Sequence, residues 1–324
     1  MDDDDVDLDF LRRSAREFLA ERGEKHSIQD VAAMDWIGLL VDEDLSGSGW
    51  RPVESCVIAE ELGRAHDRTP WLGSAVAAAA MATAPDQLRE RWLPALLKGA
   101  KVGGFAVAPS SGTQFPTVRV IDGDSVDILV IATTNGLELF EAAQELPRRP
   151  DRESLDVERT SWCIDVSAAT GIQLGDAARA SELRVVAQLL ISADALGALS
   201  QAVERLTDYL RSRVAFGAPI ASFQAIQHRL VDLVVLEAKA RAIVMKAART
   251  AAQGHGAEAL AAAAHAFVAA KVTDAVDECM QLSGGIGFTW EYPLHHELRR
   301  ASVDAWLFGT ARASRALLAE VSGW

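Results

Sequence analysis

The stretch Tyr209-Leu-Arg-Ser-Arg213-Val-Ala-Phe216-Gly217-Ala-Pro219-Ile-Ala-Ser-Phe223-Gln224-Ala-Ile-Gln227-His228-Arg-Leu230 carries the pattern that decides the fold. Helical sequence rich in Ala and Leu stands on both sides of it, and Gly217-Ala218-Pro219 interrupts the helix. A second block, Gln281-Leu-Ser-Gly284-Gly285-Ile-Gly287-Phe288-Thr289-Trp290-Glu291-Tyr292-Pro293, closes another long helical segment. Between and around these blocks the chain predicts helices over 194–213, 223–253 and 257–281, with a break at Gly254-His255-Gly256. A shorter helix runs from about Leu294 to the end and breaks near Gly309. Alanine loses no side-chain entropy in a helix, so this composition favours a helical bundle over residues 187–324.

Upstream the character changes twice. Residues 101–186 hold short β-rich runs, 102–107, 118–121, 126–133, 137–140, 161–166 and 183–186, punctuated by Gly, Asp, Asn and Pro. Asn135-Gly136 is a strong hairpin signal. The charged segment 145–158, with Pro147 and Pro150, reads as an exposed loop. Residues 1–100 return to helix, over roughly 8–19, 28–41, 53–65, 74–81 and 85–97. The expected architecture is mostly α: an N-terminal helical domain (1–100), a reduced middle β domain (101–186) and a C-terminal four-helix bundle (187–324).

Composition narrows the function. Of 324 residues, 46 are acidic and 32 basic, giving a formal net charge of −14. With no surplus of cations to neutralise phosphates, nucleic-acid binding is not expected. No apolar run reaches the roughly 18 residues of a membrane span. Met1-Asp2-Asp3-Asp4-Asp5 is the reverse of a basic signal-peptide start and reads as a solvated end. Cys56, Cys163 and Cys279 are odd in number and far apart, which points to small buried residues in a reducing cytoplasm. His228, His265 and the pair His295-His296 lack metal-ligand spacing.

The two blocks, followed by Arg299-Arg300 and Phe308-Gly309-Thr310, resemble the acyl-CoA dehydrogenase family. Trp36-Ile-Gly-Leu-Leu40, the turn running to Trp50, Glu60-Glu61-Leu62-Gly63-Arg64-Ala65 and Arg91-Trp92-Leu93-Pro94 fit the same family in order. The resemblance implies the family fold and FAD lying between the β domain of one subunit and the bundle of its dimer partner. It also implies α,β-desaturation of an acyl-CoA thioester. That reaction needs a carboxylate base, a flavin that takes the hydride, and donors that polarise the thioester carbonyl.

Against that pattern the chain is unequal. The family's usual base precedes the Gly-Thr of the last block, and that position is Phe308. A minority place it about 26 residues before the Arg of Arg-x-x-Phe-Gly, roughly seven helical turns, and that position is Ala187. Neither takes a proton, so no catalytic residue is expected. The nearby carboxylates Glu182, Asp194, Glu204 and Asp304 read as helix-surface or cap charges, and Glu291 as structural. Around the flavin ring the family's Thr-Glu-Pro-x-Ala-Gly-Ser-Asp stretch has become Ala106-Val107-Ala108-Pro109-Ser110-Ser111-Gly112, and a Trp-Ile-Thr stretch is missing. The motifs that reach across the dimer to the partner's FAD survive: Arg213, Phe216, Gly217, Gln224, Gln281, Gly284 and Gly285. Arginine offers a permanent charge and a fork of donors to pyrophosphate, and glycines admit a nucleotide close to backbone N–H groups.

Loss of one half-site beside retention of the other resembles the short, non-catalytic subunits of heteromeric α2β2 steroid acyl-CoA dehydrogenases. The expected partner is a full-length acyl-CoA dehydrogenase subunit that supplies base and flavin-ring pocket and binds the acyl-CoA; the resemblance implies a steroid side-chain thioester. Two other readings stand beside it: a self-sufficient homomeric enzyme with a relocated base, and a non-enzymatic scaffold.

Overall fold

The computed structural model describes residues 7–23, 26–108, 117–254 and 256–323. The acidic run Asp2–Asp5 and residues 109–112 of the altered flavin-ring stretch lie outside the described residues.

Five helices build the N-terminal part: α1 (Leu8–Arg22), α2 (Ile28–Ala33), α3 (Pro52–Arg64), α4 (Trp71–Ala82) and α5 (Asp86–Leu97), with a two-stranded ladder, β1 (Leu40–Val41) and β2 (Gly49–Trp50), between α2 and α3. Local chemistry starts them. The Asp7 side chain accepts from the N–H groups of Asp9 and Phe10, and Ser27 with Asp30 forms a capping box on α2. Helix α4 has no polar face. Ala75 through Met81 are at most 1% exposed, and their small side chains let β3 come close on one side.

The middle of the chain forms two sheets. One has the order β3 (Gly103–Val107), β5 (Ile128–Ala132), β6 (Leu137–Phe140), β9 (Ile172–Gly175); the other has β4 (Thr117–Ile121), β8 (Ser161–Asp165), β7 (Arg148–Pro150). Strands β3 and β5 run parallel and the other pairs antiparallel. Val118, Val120, Leu129, Ile131, Phe140 and Ile164 fill a core of their own. The Asn135-Gly136 hairpin joins β5 to β6, with Thr133 Oγ1 accepting from both turn N–H groups.

The bundle follows: α6 (Ala177–Ser212), a small hairpin of β10 (Val214–Ala215) and β11 (Ala218–Pro219), then α7 (Gln224–Ala252), α8 (Glu258–Ser283), α9 (Leu294–Asp304) and α10 (Ala311–Val321). Helix α6 is its axis and crosses α3 at two glycines. A Cβ on Gly63 would stand 2.1 Å from the Asp194 carbonyl oxygen, and one on Gly197 would stand 1.9 Å from that of Glu60. Only glycine permits that approach.

Four expectations are corrected. The helix expected over 28–41 ends at Ala33, and Leu40–Val41 is strand β1. Residues 183–186 are helix, not strand, so residues 177–186 join α6 and not the β domain. Asp176 caps α6 by accepting from the Arg179 N–H, and Ala180, Leu183 and Val186 bury one helical face; packing overrides the β preference of the valines. Segment 145–158 is not simply exposed: it contains β7, an edge strand that tolerates Pro150, and it buries Asp151. Finally, two helical spans, 177–212 and 258–288, are long and apolar enough to cross a bilayer, although apolar runs did not suggest it. Their most apolar windows are 89% and 50% buried inside this fold, which accounts for the composition.

Candidate functional site

Helices α6 and α8 run parallel, so their C-termini share one end of the bundle, and every residue expected to clamp FAD lies there. Arg213 is the exposed C-cap of α6, its N–H donating to the Tyr209 carbonyl. The hairpin that follows turns on Phe216 and Gly217, both in the left-handed region (φ 55° and 79°), as a two-residue turn demands. The turn thrusts Phe216 outward, 98% exposed, with its ring edge-on to Phe223 at 6.3 Å. Gln224 opens α7 and is exposed.

On the neighbouring helix Gln281 is exposed near the end of α8, and Gly284 ends it with φ 67°. Tyr292, from the segment beyond, lies 5.7 Å from Tyr209 and donates to the Arg205 carbonyl, which docks this segment on the end of α6. Arg229 of α7 pairs with Glu278 of α8 and ties the second seam. A Cβ at Gly217, Gly284 or Gly285 would meet nothing within 4 Å. All seven residues therefore face open space from two adjacent segments. An unburied Arg, two glutamines and bare glycine backbone suit an anionic dinucleotide held against another surface. Val214, Ile286, Phe288 and Trp290 add exposed apolar side chains to the same end.

The base positions lie elsewhere, where the bundle meets the β domain. Ala187 is fully buried on α6. Phe308, between α9 and α10, is buried in the left-handed conformation (φ 57°), with its carbonyl accepting from Gln188 Nε2 at 3.0 Å. Its ring meets that of Phe105, on β3, at 5.7 Å. Phe105 directly precedes the stretch that faces the flavin ring in the family pattern. Arg119 of β4 lies over the Trp306 ring at 3.8 Å. Thus the usual base position and the residue just before the altered flavin-ring stretch touch each other. Among the described residues this junction is filled by packed aromatic rings, a poor match to an isoalloxazine, whereas the far end offers an exposed cation, amides and glycine backbone, a better match to a dinucleotide.

Two carboxylates read as surface charges are in fact buried. Asp194 accepts both arms of Arg300, at 2.7 and 2.9 Å, and Asp304 pairs with Arg159. Burial alone would raise the Asp194 carboxyl, but Arg300 and Arg159 outweigh it and hold it well below the usual range. Asp304 goes the other way: burial raises it, and the neighbouring Asp194 charge adds to this against the pull of Arg159. Glu182 and Glu204 are paired with Arg179 and Arg64 at the helix surfaces. His265 is buried and faces Ser314 Oγ at 2.8 Å; desolvation pushes it down to about 4, so it is neutral. All three cysteines are free and buried. Among the described residues, no three His, Cys, Asp or Glu side chains are placed to hold a metal ion.

Comparison with known proteins shows the family. The N-terminal domain of acyl-CoA dehydrogenases matches residues 8–100, and the C-terminal domain of the same family matches residues 182–323. The chain is 33% identical over 284 residues to the acyl-CoA dehydrogenase IpdE2 of Mycolicibacterium smegmatis, spanning 87% of this chain and 83% of that one. Among solved structures it is similar to a variant of the Tcur3481-Tcur3483 steroid ACAD (TM-score 0.83, 23% identity, 98% of this chain and 97% of that one). It is also similar to a glutaryl-CoA dehydrogenase from Mycobacterium smegmatis in complex with FADH2 (TM-score 0.83, 16% identity, 99% and 95%). With matched domains at both ends, a relative one-third identical over most of its length and the fold shared throughout, the chain belongs to the acyl-CoA dehydrogenase family, whose coenzyme is FAD.

Proposed function

We propose that this chain is the non-catalytic subunit of a heteromeric, FAD-dependent acyl-CoA dehydrogenase. It pairs with a full-length family member in an α2β2 assembly in the cytoplasm and presents its clamp to the partner's coenzyme. The observation that carries this reading is the asymmetry of the two ends: Phe308 and Ala187, both buried, hold the base positions, while Arg213, Phe216, Gly217, Gln224, Gln281, Gly284 and Gly285 stand exposed together.

FAD, when bound, supplies the hydride acceptor for the α,β-desaturation of the thioester. This chain's residues do the holding. Arg213 offers a fixed positive fork to pyrophosphate, Gln224 and Gln281 offer amide donors and acceptors, and the glycines leave their backbone N–H groups approachable. Phe216 supplies an apolar face beside them. The base comes from the partner, because no carboxylate here stands at a family base position. A steroid-CoA thioester is the proposed substrate, supported by the likeness to the Tcur3481-Tcur3483 steroid ACAD, a protein named by two components.

Co-expression tests the reading. The chain alone should be colourless and inactive; with a full-length family member that keeps its Glu, it should give a yellow complex with about one FAD per heterodimer. Arg213→Ala in that complex should weaken FAD retention about 10- to 100-fold, the loss of a hydrogen bond to a charged group. A lone chain that carries stoichiometric flavin and desaturates a thioester overturns the proposal. So does a complex whose flavin content ignores Arg213→Ala, which favours a scaffold.

A further inference from the structure

The segment linking β7 to β8 does more than connect strands. It runs along α9 and reaches into the junction of β domain and bundle. Arg299 Nη1 donates to the Leu155 carbonyl at 3.1 Å, and Glu158 faces His296 Nδ1 at 3.0 Å. Asp156 lies 3.6 Å from Arg300, and its Oδ1 accepts from the backbone N–H groups of Glu158 and Arg159, which shapes the turn. Arg159, 3% exposed, then enters between α6 and α9 to pair with Asp304 and stands 3.6 Å from Asp194. Arg300 closes the group by binding Asp194 with two arms and the Asp67 carbonyl with the third, at 2.9 Å. Residues from the N-terminal part, the β domain, α6 and α9 thus meet at one buried cluster.

We infer that the chain's own cleft between β domain and bundle is sealed to coenzyme and substrate, with Phe105 against Phe308 as the plug and the Arg159–Asp304–Asp194–Arg300 quartet as the latch. The Phe105 and Phe308 rings bring β3 and the loop after α9 into direct contact, which leaves no room for a planar ring between these two side chains. The quartet ties α6, α9 and the segment before β8 together. Removing one member of such a buried group leaves its partner charged and unsolvated, which costs far more than replacing the pair by apolar groups. The seal concerns this chain alone: it agrees with the heteromeric and the scaffold readings and excludes a self-sufficient homomeric enzyme.

The test uses the full-length chain by itself. FAD is titrated into the wild-type protein while the flavin's visible absorption band and the melting temperature are followed. The expected result is no shift of the band; because a ligand that binds the folded state must stabilise it, a rise in melting temperature is expected only from FAD held outside the cleft. Any FAD held through the clamp should leave the band unshifted and vanish in Arg213→Ala, and that also supports the seal. Arg159→Met should lower the melting temperature by roughly 5–10 °C, and the double variant Arg159→Met/Asp304→Leu should recover most of the loss. A wild-type lone chain that shifts the flavin band in proportion to bound FAD overturns the plug. An Arg159→Met protein that melts with the wild type overturns the latch.

Discussion

Restoring a carboxylate at the family's usual base position, Phe308→Glu, should not make this chain an enzyme; it should make it unstable in a pH-dependent way. Phe308 is 7% exposed and packs on Phe105. Replacing its ring with a polar side chain forfeits about 3 kcal/mol of apolar burial. The new carboxyl would sit in apolar surroundings with Arg159 and Arg300 already committed to Asp304 and Asp194. Its folded-state pKa should therefore rise above neutrality, while in the unfolded chain it stays near about 4.3. At pH 7 the folded protein must then take up a proton the unfolded chain has released, which costs about 4 kcal/mol more. For a carboxyl with a raised folded pKa, this penalty is absent below the unfolded pKa and grows as pH rises. The assay is urea unfolding of wild type, Phe308→Glu and the neutral control Phe308→Gln at pH 5 and pH 7. Between those two pH values the Glu variant should lose about 3 kcal/mol relative to the Gln variant. If Glu and Gln variants track each other across pH, the position is solvated and the account of a plugged cleft is wrong.

Other consequences follow from single contacts. Gly197→Ala should push α6 off α3, because the new methyl would stand 1.9 Å from the Glu60 carbonyl oxygen; a loss of at least about 3 kcal/mol in urea unfolding is expected, and a wild-type midpoint would show that the helices separate freely. His265 is held neutral down to about 4, so its contribution to stability falls as pH drops below the unfolded value of about 6.5, reaching about 3 kcal/mol near pH 4. His265→Gln should flatten that part of the stability–pH curve, and an unchanged curve would place the proton uptake elsewhere. His26, raised by its hydrogen bond to Asp67, works in the opposite sense: the stability it adds is complete below its unfolded pKa and is lost as pH rises through the folded one, so His26→Gln should weaken the protein at pH 6 more than at pH 8.

The chain's local chemistry settled most of the order of elements. Alanine-rich stretches, glycine breaks at 217, 254 and 284, and the Asn135-Gly136 turn each act within a few residues, so they are visible without a fold. The proposed clamp was nameable for the same reason: Arg213 through Gln224 is one continuous motif, and Gln281 through Gly285 is another, each resembling the family's. That Phe and Ala fill the two positions where the family keeps its base was likewise read along the chain. The contact of Phe308 with Phe105 was not. The start of α6 depended on burial of Leu183 and Val186 against distant helices, which outweighs the β preference of its valines. Asp194 and Asp304 look like ordinary helix charges until Arg300 and Arg159, 106 and 145 residues away along the chain, are brought against them. The charged segment 145–158 looked solvated because polar composition usually is, yet its last residues lie along α9 and lead directly into the buried Arg159. Propensity and motif spacing act along the chain and can be read from it; desolvation, ion pairing and the closure of a cleft arise between segments far apart in sequence, and only the tertiary structure decides them.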